Sequence, residues 1–182
     1  MKTSIIRLTR RQAATGMALA LGNLAISRSA SAQQPARPPS MEEKPSTAAN
    51  QARTSLHQEI DLQAAPQRVF QILLDSKLFA AFTGMPAEID PSPGGAFKTF
   101  GGLVVGRNVE IIPGERIVQA WRPTHWDPGV YSIVHFELKA RGQDTTLVLD
   151  HTGFPEGEFD HLDPGWYLRY WNPLKKFLES QG

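Results

Sequence analysis

Apolar and polar positions alternate from Leu56 onward. Leu56, Gln58, Ile60 and Leu62 interleave, imperfectly, with more polar neighbours, the period of a half-buried strand. Ala64-Ala65-Pro66 then opens a helix, with proline in the first turn, where its missing N–H costs nothing. Val69, Phe70, Leu73 and Leu74 fall on one face of it. Asp75-Ser76 ends that helix, and Ser76 is the expected cap of a second, short one carrying Leu78, Phe79 and Phe82. Thr83-Gly84 stops it.

Six strand-like segments follow: Ala87 to Asp90, Ala96 to Phe100, Val104 to Ile112, Ile117 to Pro123, Tyr131 to Leu138 and Thr145 to Thr152. Turn chemistry separates them, including Pro113-Gly114 in type II order and Gly142-Gln143-Asp144. Consecutive strands with short connections predict antiparallel pairing. The last element is a helix opened by Asp163-Pro164-Gly165. Trp166, Tyr170, Leu174 and Phe177 form one apolar stripe, and Tyr167, Trp171, Leu174 and Leu178 a second beside it. Pro173 predicts a kink, because it removes one helical hydrogen bond.

The chain ahead of Thr54 has a different character. Lys2, Arg7, Arg10 and Arg11 precede a weakly apolar run, Ala13 to Ile26, and the small-residue site Ala30-Ser31-Ala32. This is the pattern of a bacterial export signal over residues 1–32, and Arg10-Arg11 resembles a twin-arginine type. The run is shorter than the roughly 20 residues that span a bilayer and is broken by Gly22-Asn23, so no stable membrane span is expected. Residues 33–53 read as a disordered linker, with Pro35, Pro38, Pro39 and Pro45 among polar residues. Residues 54–182 form the expected domain. A periplasmic or secreted destination follows from the leader.

Charge changes with the leader. It holds five basic residues and no acidic ones, so its removal takes the net charge from +1 to −4. Such a chain has no electrostatic footprint for nucleic acid. There is no cysteine, which excludes disulfides, thiolate catalysis and cysteine zinc sites.

The element order is similar to the helix-grip fold of the SRPBCC (START-like, Bet v-like) superfamily. That is an α+β fold in which a curved antiparallel sheet wraps a long C-terminal helix, with two short helices after the first strand. Phe100-Gly101-Gly102-Leu103-Val104-Val105-Gly106, Glu110-Ile111-Ile112-Pro113, Ile117-Val118-Gln119-Ala120-Trp121-Arg122, Gly165-Trp166 and Tyr170-Trp171 resemble the C-terminal domain of activators of the heat-shock-protein-90 ATPase. The resemblance implies an apolar cavity between sheet and helix. It carries over no catalytic residue and implies no cofactor. In the place of the separate N-terminal domain of the eukaryotic activators, the expected leader and linker stand here.

The expected pocket residues are Phe97, Trp121, Phe136, Leu149, His151, Trp166 and Tyr170. Leu147, Leu149 and His151 share one strand face by period two, so a cavity-facing His151 can orient a ligand or act as a base. The alternative is a histidine simply satisfied at a strand end. The aromatics can equally be solid core. Glu110 and Arg122 are expected to pair across strands. Glu156, Glu158, Asp160, His161 and Asp163 form an acidic cluster suited to a helix N-terminus, without metal-ligand spacing. His125-Trp126-Asp127 is placed in a hairpin loop or at a cavity rim.

The leading expectation is a binder of a small hydrophobic or amphipathic molecule. The second is a cyclase- or hydrolase-like enzyme using the same pocket with His151 as base. The third is a protein-interaction module related to the chaperone activators, which leaves room for a protein partner.

Overall fold

Strand β1 (Ser55–Leu62) buries every second residue, from Leu56 to Leu62, including the polar Gln58. That alternation sets one face of a sheet against a core. The computed structural model describes residues 49–50 and 52–181. The leader, and the linker up to residue 48, lie outside the described residues. Helices α1 (Pro66–Leu74) and α2 (Ser76–Thr83) follow β1. They are succeeded by β2 (Glu88–Ile89), β3 (Ala96–Thr99), a 3₁₀ turn (Phe100–Gly102) and β4 (Val104–Ile112). Next come β5 (Arg116–Pro123), β6 (Ser132–Arg141) and β7 (Asp144–Thr152). The seven strands form one antiparallel sheet in the order β1-β7-β6-β5-β4-β3-β2. The first strand thereby returns beside the last.

The closing helical segment covers residues 159–179. It comprises α3 (Phe159–Trp166), a π-helical turn (Tyr167–Trp171) and α4 (Asn172–Glu179). With α1 and α2 it lies over the inner face of the sheet, and the core forms between them. This is the helix-grip architecture expected from the sequence.

Local chemistry departs from expectation in four places. The cap of α2 is Asp75, not Ser76: its carboxylate accepts from the N–H groups of Lys77 (2.8 Å) and Leu78 (2.9 Å). The Ser76 hydroxyl instead accepts from the Ile89 N–H at 2.8 Å, tying α2 to β2. The last helix starts at Phe159 rather than Asp163. The Glu158 carbonyl accepts from the N–H groups of His161 and Leu162, and Phe159 and Leu162 are buried, which carries the helix through Pro164. Ahead of Pro173 the chain widens into the π turn, where the Asn172 N–H donates to the Tyr167 carbonyl. A π turn is one of the recognised ways a helix absorbs a disruption. Finally, Glu110 pairs with Arg116 at 3.1 Å and not with Arg122. The Pro113-Gly114 turn sets a register in which Glu110 lies opposite Val118, diagonal to Arg116. Arg122 instead donates to the Trp126 carbonyl at 3.1 Å.

Candidate functional site

The space expected to be an enclosed cavity is filled by aromatic rings. Trp166 stacks on Trp121 at 5.6 Å and on Trp171 at 5.4 Å, and meets Tyr170 at 4.4 Å. Phe136 meets Trp166 and Trp171 edge-on. A void of about 10 Å³ remains inside, lined in part by Phe97, Thr99, Phe136 and Tyr170. It has room for about one water.

His151 belongs to this filled region. It is fully buried, as the period-two reading of β7 requires if the strand faces inward. Its Nδ1 accepts from the Trp166 indole N–H at 3.2 Å. The proton must therefore sit on Nε2, which donates to the Ser132 hydroxyl at 2.7 Å. Ser132 in turn donates to the Trp121 carbonyl at 3.0 Å. Burial pushes the imidazole pKa down to about 3, so the ring is neutral. Both nitrogens are committed and no solvent reaches them. A serine and a histidine are in contact, but the proton is directed from histidine to serine. That polarity is opposite to what a nucleophile–base pair needs.

Open space lies at one end of the sheet–helix interface. There the 3₁₀ turn, the start of β4 and the end of β5 face α3 and the π turn across a cleft of about 190 Å³. Phe100, Leu103, Val104, Pro123 and Leu162 supply apolar walls, with Trp121 and Trp166 between them. Thr124, His125, His161 and Arg169 supply polar groups, and Tyr170 is also part of the wall. The turn itself is unusual. Phe100, Gly101 and Gly102 all have positive φ, at 54°, 66° and 92°. Left-handed backbone is rare for an aromatic residue and is held only where packing over-determines it. Here the Phe100 ring is pinned against Phe79 at 5.4 Å and Tyr170 at 5.2 Å. The two glycines, free of Cβ, let the chain continue through the same region and turn back into β4.

The helix side of the cleft is also built for space. His161, Gly165 and Arg169 follow at intervals of four, on one side of the segment, and all three line the cleft. A Cβ added at Gly165 would meet nothing within 4 Å, and its φ lies outside the left-handed region. Neither sterics nor backbone conformation calls for glycine there, and mid-helix glycine costs about 0.5–1 kcal/mol relative to alanine. What glycine does provide is an unobstructed opening.

The Tyr170 hydroxyl lies near the Trp121 indole N–H and the Thr99 hydroxyl, and burial holds its pKa well above the ordinary phenol range. Neither Trp121 Nε1 nor Thr99 Oγ1 makes a hydrogen bond of acceptable geometry among the described residues.

The sequence-derived pocket residues divide accordingly. Trp121, Trp166 and Tyr170 line the cleft. Phe97 and Phe136 line the small inner void, while Leu149 and His151 are fully buried core that line neither space. Phe100, Leu103, Leu162, His161, Gly165 and Arg169 were not singled out for the pocket. Their signal was faint: the helical spacing of His161, Gly165 and Arg169, and the Gly-rich turn. His125 does stand at a rim, with its Nε2 3.4 Å from Glu158 Oε2. The acidic cluster is dispersed. Asp160 accepts from Asn50, and Asp163 accepts from Gln58 through both its carbonyl and its carboxylate.

Residues 63–179 match the family described as activator of Hsp90 ATPase homolog 1-like protein. The chain belongs to this family. A relative described as activator of 90 kDa heat shock protein ATPase homolog, from Dictyostelium discoideum, is 32% identical over 107 residues. That alignment covers 58% of this chain and 28% of the relative. The human homolog 1 is 26% identical over 112 residues, covering 62% and 33%. This family member thus spans about a third or less of the curated relatives it matches. Among solved structures, an HSP90 activator from Plasmodium falciparum superposes with a TM-score of 0.67 at 24% identity, covering 70% of this chain and 97% of that one. An Aha1 dimer from Colwellia psychrerythraea gives 0.60 at 17% identity, covering 70% and 97%. At these identities the two structures speak to the fold alone.

Proposed function

We propose that this domain of the Hsp90-activator-homologue family binds a small apolar or amphipathic molecule in the cleft at the end of its sheet–helix interface. The observation that carries the reading is that cleft. About 190 Å³ is left open between aromatic walls, while the centre of the sheet–helix interface is filled. An apolar space of about 150 Å³ is enough to take a benzene. The occupant is therefore on the scale of one ring with a short side chain. Apolar walls with a few convergent polar groups are the usual make-up of such sites. A Gly165 that leaves the mouth clear supports the same reading.

The test is a titration with a neutral one-ring probe, 3-phenylpropan-1-ol, followed through the indole N–H signals of the tryptophans. Saturable shifts at Trp121 and Trp166, lost in Gly165→Leu, support the reading. Absence of shifts at millimolar concentrations of both this alcohol and the corresponding acid, 3-phenylpropionate, overturns it.

A second reading is favoured by the apolar side chains left outside the core. Leu103, Leu168 and Tyr167 are 52%, 69% and 43% exposed, and Leu103 stands at the cleft rim. Together with the family they support a protein-docking role. Stimulation of an Hsp90-type ATPase by the purified domain, weakened by Leu168→Ser, is its test. The fold supports the enzyme reading less. Its proposed base, His151, is a committed structural group.

A further inference from the structure

Every polar side chain that lines the cleft can donate a hydrogen bond, and none is a carboxylate. Trp121 and Arg169 are donors only. Thr124 already donates to the Leu103 carbonyl at 3.2 Å. The Trp121 indole N–H is buried and lies near the Tyr170 hydroxyl. Arg169 makes no ion pair among the described residues. Arg116 and Arg141, by contrast, both have carboxylate partners. Glu158 is engaged with His125 at 3.4 Å and stands outside the lining. The cleft is thus apolar in its walls, and the permanently charged side chain on its lining is the cationic Arg169.

From this chemistry we infer that the ligand is a one-ring-sized carboxylic acid. Its apolar body lies against Trp121 and Trp166, and its carboxylate is held by Arg169 at the mouth. The inference rests on the small-molecule reading above and narrows it. A guanidinium presents paired N–H groups that match the two oxygens of a carboxylate. Arg169 is well placed to use them. It lies in the π turn, four residues after Gly165, which leaves the space beside it open. A neutral alcohol of the same length can fill the apolar part but cannot use the guanidinium as a charged partner.

The experiment compares 3-phenylpropionate with 3-phenylpropan-1-ol on the full chain, both followed at the Trp121 and Trp166 indole N–H signals. The acid is expected to bind about tenfold more tightly than the alcohol, the scale of one charge-assisted hydrogen-bonded pair. Arg169→Gln is expected to abolish that difference, and Arg169→Lys to keep part of it. Because Arg169 is exposed, these variants should fold, and matched thermal unfolding checks that they do. Equal wild-type affinities, or a preference for the acid that survives Arg169→Gln, overturns the carboxylate assignment while leaving small-molecule binding intact. Failure of both probes to move either tryptophan overturns both.

Discussion

Trp171 Nε1 donates to Gln58 Oε1 at 2.6 Å, joining residues 113 positions apart. The same glutamine amide donates to the Asp163 carbonyl (3.0 Å) and carboxylate (2.9 Å). One inward-facing polar residue of β1 therefore clamps both α3 and the π turn. It occupies an alternation position that a leucine would fill in an ordinary strand. Its cost of burial is offset because its oxygen and its nitrogen are both partnered.

Gln58→Leu should therefore destabilise the domain despite adding apolar volume. It strands the buried Trp171 N–H, at a cost of about 1–3 kcal/mol. Urea unfolding of Gln58→Leu, Trp171→Phe and the double variant measures this. The double variant should lose less than the sum of the singles, because removing both partners leaves no orphan donor. Simple additivity would refute the clamp.

His151 makes stability depend on pH in one direction. Its folded pKa is depressed from 6.5 to about 3 by burial, so the unfolded chain binds the extra proton first. The histidine leaves stability undiminished above about pH 6.5. Stability falls as the pH drops from there toward 3, by up to about 1.4 kcal/mol per unit. A His151→Gln variant should lose stability at neutral pH, and its pH profile should be flatter over that window. Denaturant midpoints at several pH values check both. An unchanged slope would contradict the buried neutral assignment.

Gly165→Ala should stabilise the fold by about 0.5–1 kcal/mol, since the added methyl meets open space in a helix. The same change should weaken binding of a one-ring probe, because the methyl enters the cleft mouth. Thermal unfolding paired with probe titration separates the two effects. A gain in stability with undiminished binding would show that the glycine does not hold the opening.

Export remains a proposal based on residues 1–32, outside the described residues. If the leader is processed after Ala30-Ser31-Ala32, intact-mass measurement of protein recovered from the periplasm will show Gln33 as the first residue. Replacing Arg10-Arg11 by two lysines should retain the full-length chain inside the cell. Recovery of unprocessed protein from the cytoplasm of unaltered cells would refute the proposal.

Strand positions and their inward faces were legible because a period of two needs only neighbouring residues. The alternation from Leu56 to Leu62 and the span from Val104 to Ile112 appear in the structure as read. Turns with Pro113-Gly114 and Thr83-Gly84 were legible for the same reason, since they depend on local backbone freedom. The start of the last helix was misplaced at Pro164. Proline reads as a boundary locally, while the burial of Phe159 and Leu162 that carries the helix past it is a tertiary effect. The Glu110–Arg122 pairing failed similarly, because the register across β4 and β5 places Glu110 opposite Val118 and Arg122 opposite Val105, a pairing between strands that neither residue encodes alone.

By itself the sequence determined the family, the order of elements, the faces they bury and the aromatic content of the sheet–helix interface. Those properties follow from periodicity, turn chemistry and short motifs, all local along the chain. Only the tertiary structure decided which aromatics fill space and which border it. Trp166 meets Trp121, Tyr170 and Trp171 at once, so the middle of the sheet–helix interface closes and a cleft is left at its end near Gly165 and Arg169. Packing is a sum over contacts between distant segments, and a void is what those contacts leave over. No single residue or spacing encodes it.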